Sequence, residues 1–194
     1  MALRKKFEFK ADSKAFSWLK RLYMTRQQRL RLLKWSLYAA VCVAMLIIQD
    51  VIMSRVSIFG ATTDLAVCAM LLICVLEGTE TGSIFILVAS LVYLFSGSTP
   101  GAYVVVILTF VGVGATMFRQ AYWHRGLGST VACAGAALML YELILFVVGL
   151  VMRLTLLRRL GVFLITGGLS VAVMLPLYPL VYKIGSIGGE SWKE

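Results

Sequence analysis

Residues that could take part in chemistry are few in this sequence. The only histidine, His124, stands beside Trp123 and Arg125, and it could bind a metal only together with several further donors. No phosphate-binding loop, HExxH or GxSxG pattern occurs, and the Gly-Val-Gly at 112–114 lies inside an apolar run, where it indicates close helix packing. The sequence therefore predicts a non-enzymatic protein without a catalytic, metal or cofactor site.

Glu142 is the most unusual acidic residue. It interrupts the apolar segment ALMLYELILFVVGL near its middle. A charge at the centre of a membrane-spanning helix costs about 2.5–3.5 kcal/mol on insertion scales. We therefore expect Glu142 to face the interior of a helix bundle or to be protonated. The sequence leaves open whether its side chain contacts a ligand, a partner helix, or a Ser, Thr or Tyr hydroxyl on a neighbouring helix.

Three other acidic residues lie near the ends of apolar runs. Asp64 stands just inside the start of a short run. We predict that it is an N-cap or first-turn acid, stabilised by the free N–H groups and the dipole of a helix. Asp50 and Glu77 lie close to run ends, where we expect their side chains to reach water.

The four cysteines lie within apolar runs, and none forms a CxxC pair. This placement is typical of small buried hydrophobic residues and not of disulfides or metal ligands. The cysteines are Cys42, Cys68, Cys74 and Cys133.

The apolar runs dominate the composition and indicate the fold class. The chain has 194 residues, of which 60% are hydrophobic and 14% charged, and its mean hydropathy is +0.90. Soluble domains carry about 25% charged residues. We therefore predict an all-α integral membrane protein with about six transmembrane helices. The predicted spans are 35–54, 61–76, 82–95, 101–118, 127–152 and 160–182.

The second and third predicted spans are shorter than the usual length of about 20 residues. Such spans need a tilt, a thinned bilayer, or polar ends that neighbouring helices bury. A re-entrant pair that never crosses the membrane is the alternative. The turns on either side, EGTETG at 77–82 and SGSTPG at 96–101, contain the Gly, Pro, Ser and Thr residues that allow tight reversals.

Lysine and arginine residues are concentrated at the start of the chain, where residues 1–34 hold eleven of the 19. Cytoplasmic segments of membrane proteins carry the excess of these residues. With the N-terminus inside, the predicted cytoplasmic segments hold 15 and the external segments four. We therefore expect both termini in the cytoplasm, with the three arginines at 153–159 near the outer headgroups or a partner.

Residues 14–34 contain seven Lys and Arg, no acid, and apolar residues near helical spacing. This pattern predicts an amphipathic helix on the cytoplasmic membrane surface that binds anionic lipid, with a solvated basic linker as the alternative. Lipid contact accounts for the net charge of +10, so we do not expect nucleic-acid binding. The first apolar run begins near Trp35, far behind a normal signal-peptide n-region, which predicts an uncleaved anchor.

The predicted organisation has three parts: a basic cytoplasmic or interfacial segment at 1–34, a six-span domain at 35–183, and a short cytoplasmic tail at 184–194. Small residues mark candidate packing surfaces between helices within the six-span domain. They are Ala40 with Ala44, and Ala132 and Ala136 with Gly135. Two prolines, Pro176 and Pro179, are expected to kink the last span.

Residues 60–101 resemble the MreD family of rod-shape-determining proteins. The resemblance rests on GATTDLAVCAMLLICVLEG, then GSIFILVASLVYLFSG, then STPG. Asp64 with Leu65 matches the family's Asp-Leu at the start of a short span. Ser96 with Gly97 matches its Ser-Gly at the end of the next, and Pro100 with Gly101 approximates its Pro-x-Gly. The chain departs from the pattern at Thr63, where the family has Pro, and at Tyr93, where it often has Asp.

The resemblance implies a non-catalytic, multi-pass subunit of the bacterial elongation machinery in the cytoplasmic membrane, without a cofactor. Its implied partner is an MreC-like protein, and through it MreB, RodA and a class B penicillin-binding protein of peptidoglycan synthesis. The family is also similar in fold to the substrate-binding S components of energy-coupling-factor vitamin transporters, which dock through an Ala-xxx-Ala stripe on their first span. Ala40 and Ala44 match that spacing, so an S component is the alternative function.

Overall fold

The computed structural model describes residues 26–51, 62–122 and 126–187, and within these ranges every regular element is helical. Six α-helices lie close to the six predicted spans, which confirms the all-α class and the positions of the apolar helices. They are α1 Arg26–Val51, α2 Leu65–Glu77, α3 Thr79–Phe95, α4 Tyr103–Tyr122, α5 Leu127–Val151 and α6 Leu160–Gly185, with a 3-10 turn, Leu157–Arg159, before α6.

Helix α2 forms the centre of the bundle. Every residue from Leu65 to Leu76 is buried, and α2 packs against all five other helices. A helix that is apolar all round is stable only when neighbours cover it completely. At about 1.5 Å per residue, its 13 residues extend only about 20 Å, so the longer helices around it supply the rest of the bundle's thickness.

Four segments are long and apolar enough to cross a membrane by length and composition, while α2 and α3 are shorter apolar helices. The four are Arg26–Val51, Tyr103–Tyr122, Leu127–Val151 and Leu157–Gly185. The outer surface of the bundle is apolar as well: Phe95, Phe110 and Val151 are each at least 75% exposed. An apolar exterior of this kind fits a hydrocarbon solvent.

The helices alternate in direction, so the bundle has two ends with different contents. One end, which we call the Lys34 end, contains the start of α1, the α2–α3 junction and the α4–α5 junction. Here the Thr79 hydroxyl at the start of α3 donates to Gln120 near the end of α4. Arg119 of α4 donates to Thr130 of α5. The opposite end, the Asp64 end, contains the start of α2 and the α3–α4 turn. The chain enters and leaves the bundle at the Lys34 end.

Helix α1 begins nine residues before Trp35, at Arg26. Residues 26–34 are therefore continuous with the first apolar span instead of forming a helix of their own. The rest of the predicted surface helix, 14–25, lies outside the described residues, and its contact with lipid stays a prediction. Lys34 is only 7% exposed. A buried partner on α2, described below, draws this basic residue into the bundle instead of leaving it at a lipid surface.

The two turns that flank α3 depend on glycine. Gly78 alone joins α2 to α3 with φ +89°, and Gly97 follows α3 with φ +78°. Both values lie in the region that only glycine adopts readily. The second turn is also attached to α1, because Ser98 Oγ donates a 2.7 Å hydrogen bond to Asp50. At the other end of the chain, α6 continues through Pro176 and Pro179, and its kink stays a prediction.

Candidate functional site

A partly open polar cavity of about 290 Å³ lies at the Asp64 end, between the ends of several helices. It brings together residues from α1, α3, α5 and α6 with those that precede α2 and α4. Its walls combine carboxylates, hydroxyls and aromatic rings, contributed by Gln49, Thr62, Thr63, Asp64, Tyr93, Ser98, Pro100, Tyr141, Glu142, Leu145, Val162, Phe163 and Thr166.

Asp64 occupies the N-cap position of α2, as predicted, but its side chain makes no capping hydrogen bond. The predicted contact with the free N–H groups is therefore absent, and stabilisation by the helix dipole stays a prediction. Gln49 of α1 accepts the Ala66 N–H at 2.9 Å in its place. Because another residue satisfies this N–H group, the Asp64 carboxylate is free to point elsewhere, and it lines the cavity.

Two neighbouring helices hold Asp64 in position. The Tyr93 hydroxyl of α3 donates to the Asp64 carboxylate at 3.2 Å. The Asp64 backbone N–H donates to Ser170 Oγ of α6 at 2.9 Å, and its carbonyl accepts from the Cys68 N–H at 3.1 Å. Tyr93, where the MreD family often has Asp, thus contributes a donor to the carboxylate of the Asp-Leu pair.

Glu142 of α5 lines the same cavity and is only 5% exposed. It faces the interior of the bundle, as its place in an apolar run predicts. No hydroxyl or other group in 26–51, 62–122 or 126–187 forms a hydrogen bond or ion pair with its carboxylate. A hydrogen bond to a neighbouring hydroxyl, one of the three alternatives that the sequence leaves open, is therefore absent from the described part of the chain.

The described walls of the cavity carry acidic side chains and no basic one. Glu142 and Asp64 both line it, and none of the lining residues that the structure describes is a Lys, Arg or His. Carboxylates without a positive neighbour favour either a proton or a bound cation.

A different arrangement neutralises the acid at the Lys34 end. Lys34 Nζ lies 2.7 Å from both carboxylate oxygens of Glu77, and Tyr38 donates to the same carboxylate at 2.6 Å. The Glu77 side chain is 4% exposed, so the expectation that it reaches water is wrong. Asp50, by contrast, is exposed, as expected.

The small residues of α5 point in two directions. Ala132 and Ala136 are exposed on the outside of the bundle. Gly135 is buried, and a Cβ placed there would lie 3.3 Å from Val171 of α6. Gly135 therefore belongs to an internal contact with α6, whereas Ala132 and Ala136 do not. Ala40 and Ala44 of α1 also face outward.

An apolar groove of about 480 Å³ runs along the outside of the bundle between α4 and α5. Ala136 lies in it, opposite Gly114 and Ala115, and Phe110 and Phe118 form its rim. The cavity at the Asp64 end and this groove are thus two separate features.

The three turn residues singled out from the sequence have different places in the structure. Pro100 lines the cavity, Gly97 makes the turn with positive φ, and Gly101 leads into α4.

All four cysteines are buried and free, as their positions predict. Cys68 and Cys133 donate to backbone carbonyls of Ser170 and Ala115. Within the described ranges no group of three or more His, Cys, Asp or Glu side chains could hold a metal ion. His124 lies outside these ranges.

No protein-family model, curated protein or solved structure matches this chain. The resemblance in residues 60–101 is therefore an argument from motif order alone.

Sequence reasoning missed Gln49, Tyr93, Tyr141, Phe163 and Thr166 as cavity residues. Gln49 left a signal, because an uncharged polar residue in an apolar helix needs a buried partner. The others left none, since tyrosine, phenylalanine and threonine are common in apolar helices.

Proposed function

We propose that this chain is a non-catalytic, six-pass scaffold of the bacterial cell-elongation machinery, of the MreD type, in the cytoplasmic membrane. It binds the single membrane span of an MreC-like protein, and through that protein it associates with MreB, RodA and a class B penicillin-binding protein. The order of the Asp-Leu, Ser-Gly and Pro-Gly elements in residues 60–101 supports the family assignment.

The groove between α4 and α5 is the observation that carries the binding role. The small residues Gly114, Ala115, Ala136 and Ala137 are among those that line it. Small residues allow the backbones of two membrane helices to approach closely, which is the main source of helix association in lipid. The aromatic rim at Phe110 and Phe118 supplies contact area on both sides of an inserted helix.

The membrane arrangement that we propose has both termini in the cytoplasm. Six helices of alternating direction return the chain to the end at which it entered, and the basic start of the chain favours placing the Lys34 end inside. The Asp64 end then faces outward. The short helices α2 and α3 cross as part of the bundle, since neighbouring side chains bind the acids Asp64 and Glu77 at the two ends of α2.

Co-purification of the MreC-like partner tests this proposal. Ala136→Leu fills the groove, and we expect it to reduce partner recovery about tenfold, equivalent to about 1.4 kcal/mol, at unchanged membrane level. Ala40→Leu is the matched control, because it makes the same change on an outward face of α1, and it should leave recovery unchanged. Depletion of the chain should make elongated cells round and wide.

A transport subunit resembling an S component is the second candidate, and the cavity at the Asp64 end is the observation that favours it. Such a subunit would bind a small molecule there. Uptake of labelled vitamins, measured on the same depleted strains, separates the two. Cells that keep their shape but stop taking up one vitamin would replace the scaffold with the transporter.

A further inference from the structure

We infer that the cavity at the Asp64 end is a binding site for a small organic cation that carries an ammonium group. The inference goes beyond the scaffold role and does not depend on it. It rests on three features of the cavity: carboxylates that have no counter-charge among the described residues, aromatic walls and volume.

The first feature is the charge. Glu142 is only 5% exposed. It has no hydrogen-bonding or ionic partner among residues 26–51, 62–122 and 126–187. Its carboxylate lines the cavity together with that of Asp64. The buried Thr63 Oγ1, on the same wall, also lacks a partner within these ranges. Buried polar groups are normally satisfied, so a carboxylate and a hydroxyl on this wall lack a partner within the described part of the chain.

The comparison with Glu77 strengthens this point. The bundle neutralises Glu77 with a lysine at 2.7 Å and a tyrosine at 2.6 Å. Among the described residues, Asp64 receives only neutral donors such as Tyr93, and Glu142 receives none. An ammonium group between the two carboxylates would supply the charge and the N–H donors that the chain itself supplies to Glu77.

The second feature separates an organic cation from a metal ion. Three aromatic rings, those of Tyr93, Tyr141 and Phe163, line the cavity beside Leu145 and Val162. Aromatic faces attract alkylammonium ions through cation–π interactions, and aliphatic walls suit the alkyl part of such a molecule. Calcium and magnesium instead need six or more oxygen ligands. Within the described ranges, no group of three or more His, Cys, Asp or Glu is placed to hold a metal ion.

The third feature is the size. The cavity has a volume of about 290 Å³, close to the lower end of the range of about 300–1,000 Å³ that is usual for small-molecule sites. A compact amine or quaternary ammonium compound suits a space of this size. The cavity is partly open at the end of the bundle, which provides an entry path.

Thermal unfolding of the purified full chain in mild detergent, without any partner, tests the inference. Tetramethylammonium chloride and ethylammonium chloride are titrated against sodium chloride at equal ionic strength, with tryptophan fluorescence as the readout. We expect a saturable rise of the unfolding temperature with at least one ammonium salt and none with sodium chloride. Glu142→Gln and Asp64→Asn should abolish that rise, and Glu80→Gln, which neutralises an exposed acid at the Lys34 end, should retain it.

Two further variants keep the test decisive where a charge-neutral variant does not fold. Glu142→Asp keeps the charge and should bind with reduced affinity, and Phe163→Leu should weaken tetramethylammonium binding at least about threefold by removing a ring. The inference is overturned by the absence of a saturable rise with both ammonium salts. A saturable rise with sodium chloride that Glu142→Gln abolishes would also overturn it, because the site would then take an inorganic cation.

Discussion

Lys34 and Glu77, 43 residues apart in the chain, form a buried ion pair that joins the start of α1 to the end of α2. Their side chains are 9% and 4% exposed. Tyr38, one turn after Lys34, donates to the same carboxylate at 2.6 Å. The central helix is therefore fixed at this end by charge and at the Asp64 end by neutral hydrogen bonds.

Removal of one partner of this pair should destabilise the bundle strongly. Lys34→Met leaves the Glu77 carboxylate buried without its counter-charge, which typically costs about 3–5 kcal/mol. The double variant Lys34→Met with Glu77→Gln should recover much of that loss, because no charge then stays buried. Reversible unfolding by denaturing detergent measures both. Glu80→Gln, at an exposed acid in the first turn of α3, is the control, and a Lys34→Met protein as stable as this control would contradict the role of the pair.

The helix positions followed from the sequence because apolar runs separated by Gly, Pro and charged residues have little freedom in where they end. The sequence did not predict the pairing of Glu77, since Lys34 lies far away in the chain and its segment has the pattern of a surface helix. The arrangement at the Asp64 end was not predicted either. Gln49 of α1 caps α2 and Asp64 faces a cavity because of the way three helices meet, and the periodicity within one helix contains no information about that.

Gly78, the single residue between α2 and α3, should not be replaceable by a residue with a side chain without a loss of stability. Gly78 has φ +89°, and a Cβ there would lie 2.9 Å from the Gln120 side chain. We expect Gly78→Ala to reduce stability by about 1–3 kcal/mol, the usual cost of holding a non-glycine residue in a sparsely populated backbone region. Unfolding by denaturing detergent measures this. Gly168→Ala is the matched control, because its Cβ would meet nothing within 4 Å and helix propensity favours alanine; equal losses in both variants would contradict the argument.

Substitutions of Glu142 should separate polarity from charge. Glu142→Gln keeps the volume and the hydrogen-bonding capacity of a side chain in a polar cavity, whereas Glu142→Leu places apolar surface there. We therefore expect the Gln variant to reach higher membrane abundance and partner recovery than the Leu variant. Quantitative immunoblots of membrane fractions and pull-downs from detergent extracts measure the two quantities. A Leu variant that equals or exceeds the Gln variant in both would show that Glu142 needs no polar surroundings.

The orientation of the bundle can be tested with reporter fusions at two positions. Thr99 lies in the turn between α3 and α4 at the Asp64 end, and Lys193 lies near the end of the chain. With the basic N-terminal segment in the cytoplasm, an alkaline phosphatase fusion after Thr99 should be active and a fluorescent protein fusion after Lys193 should fluoresce. Because six alternating helices bring the chain back to the side on which it entered, the two positions must lie on opposite sides of the membrane. An active phosphatase fused after Lys193 would rule out six passes with both termini inside.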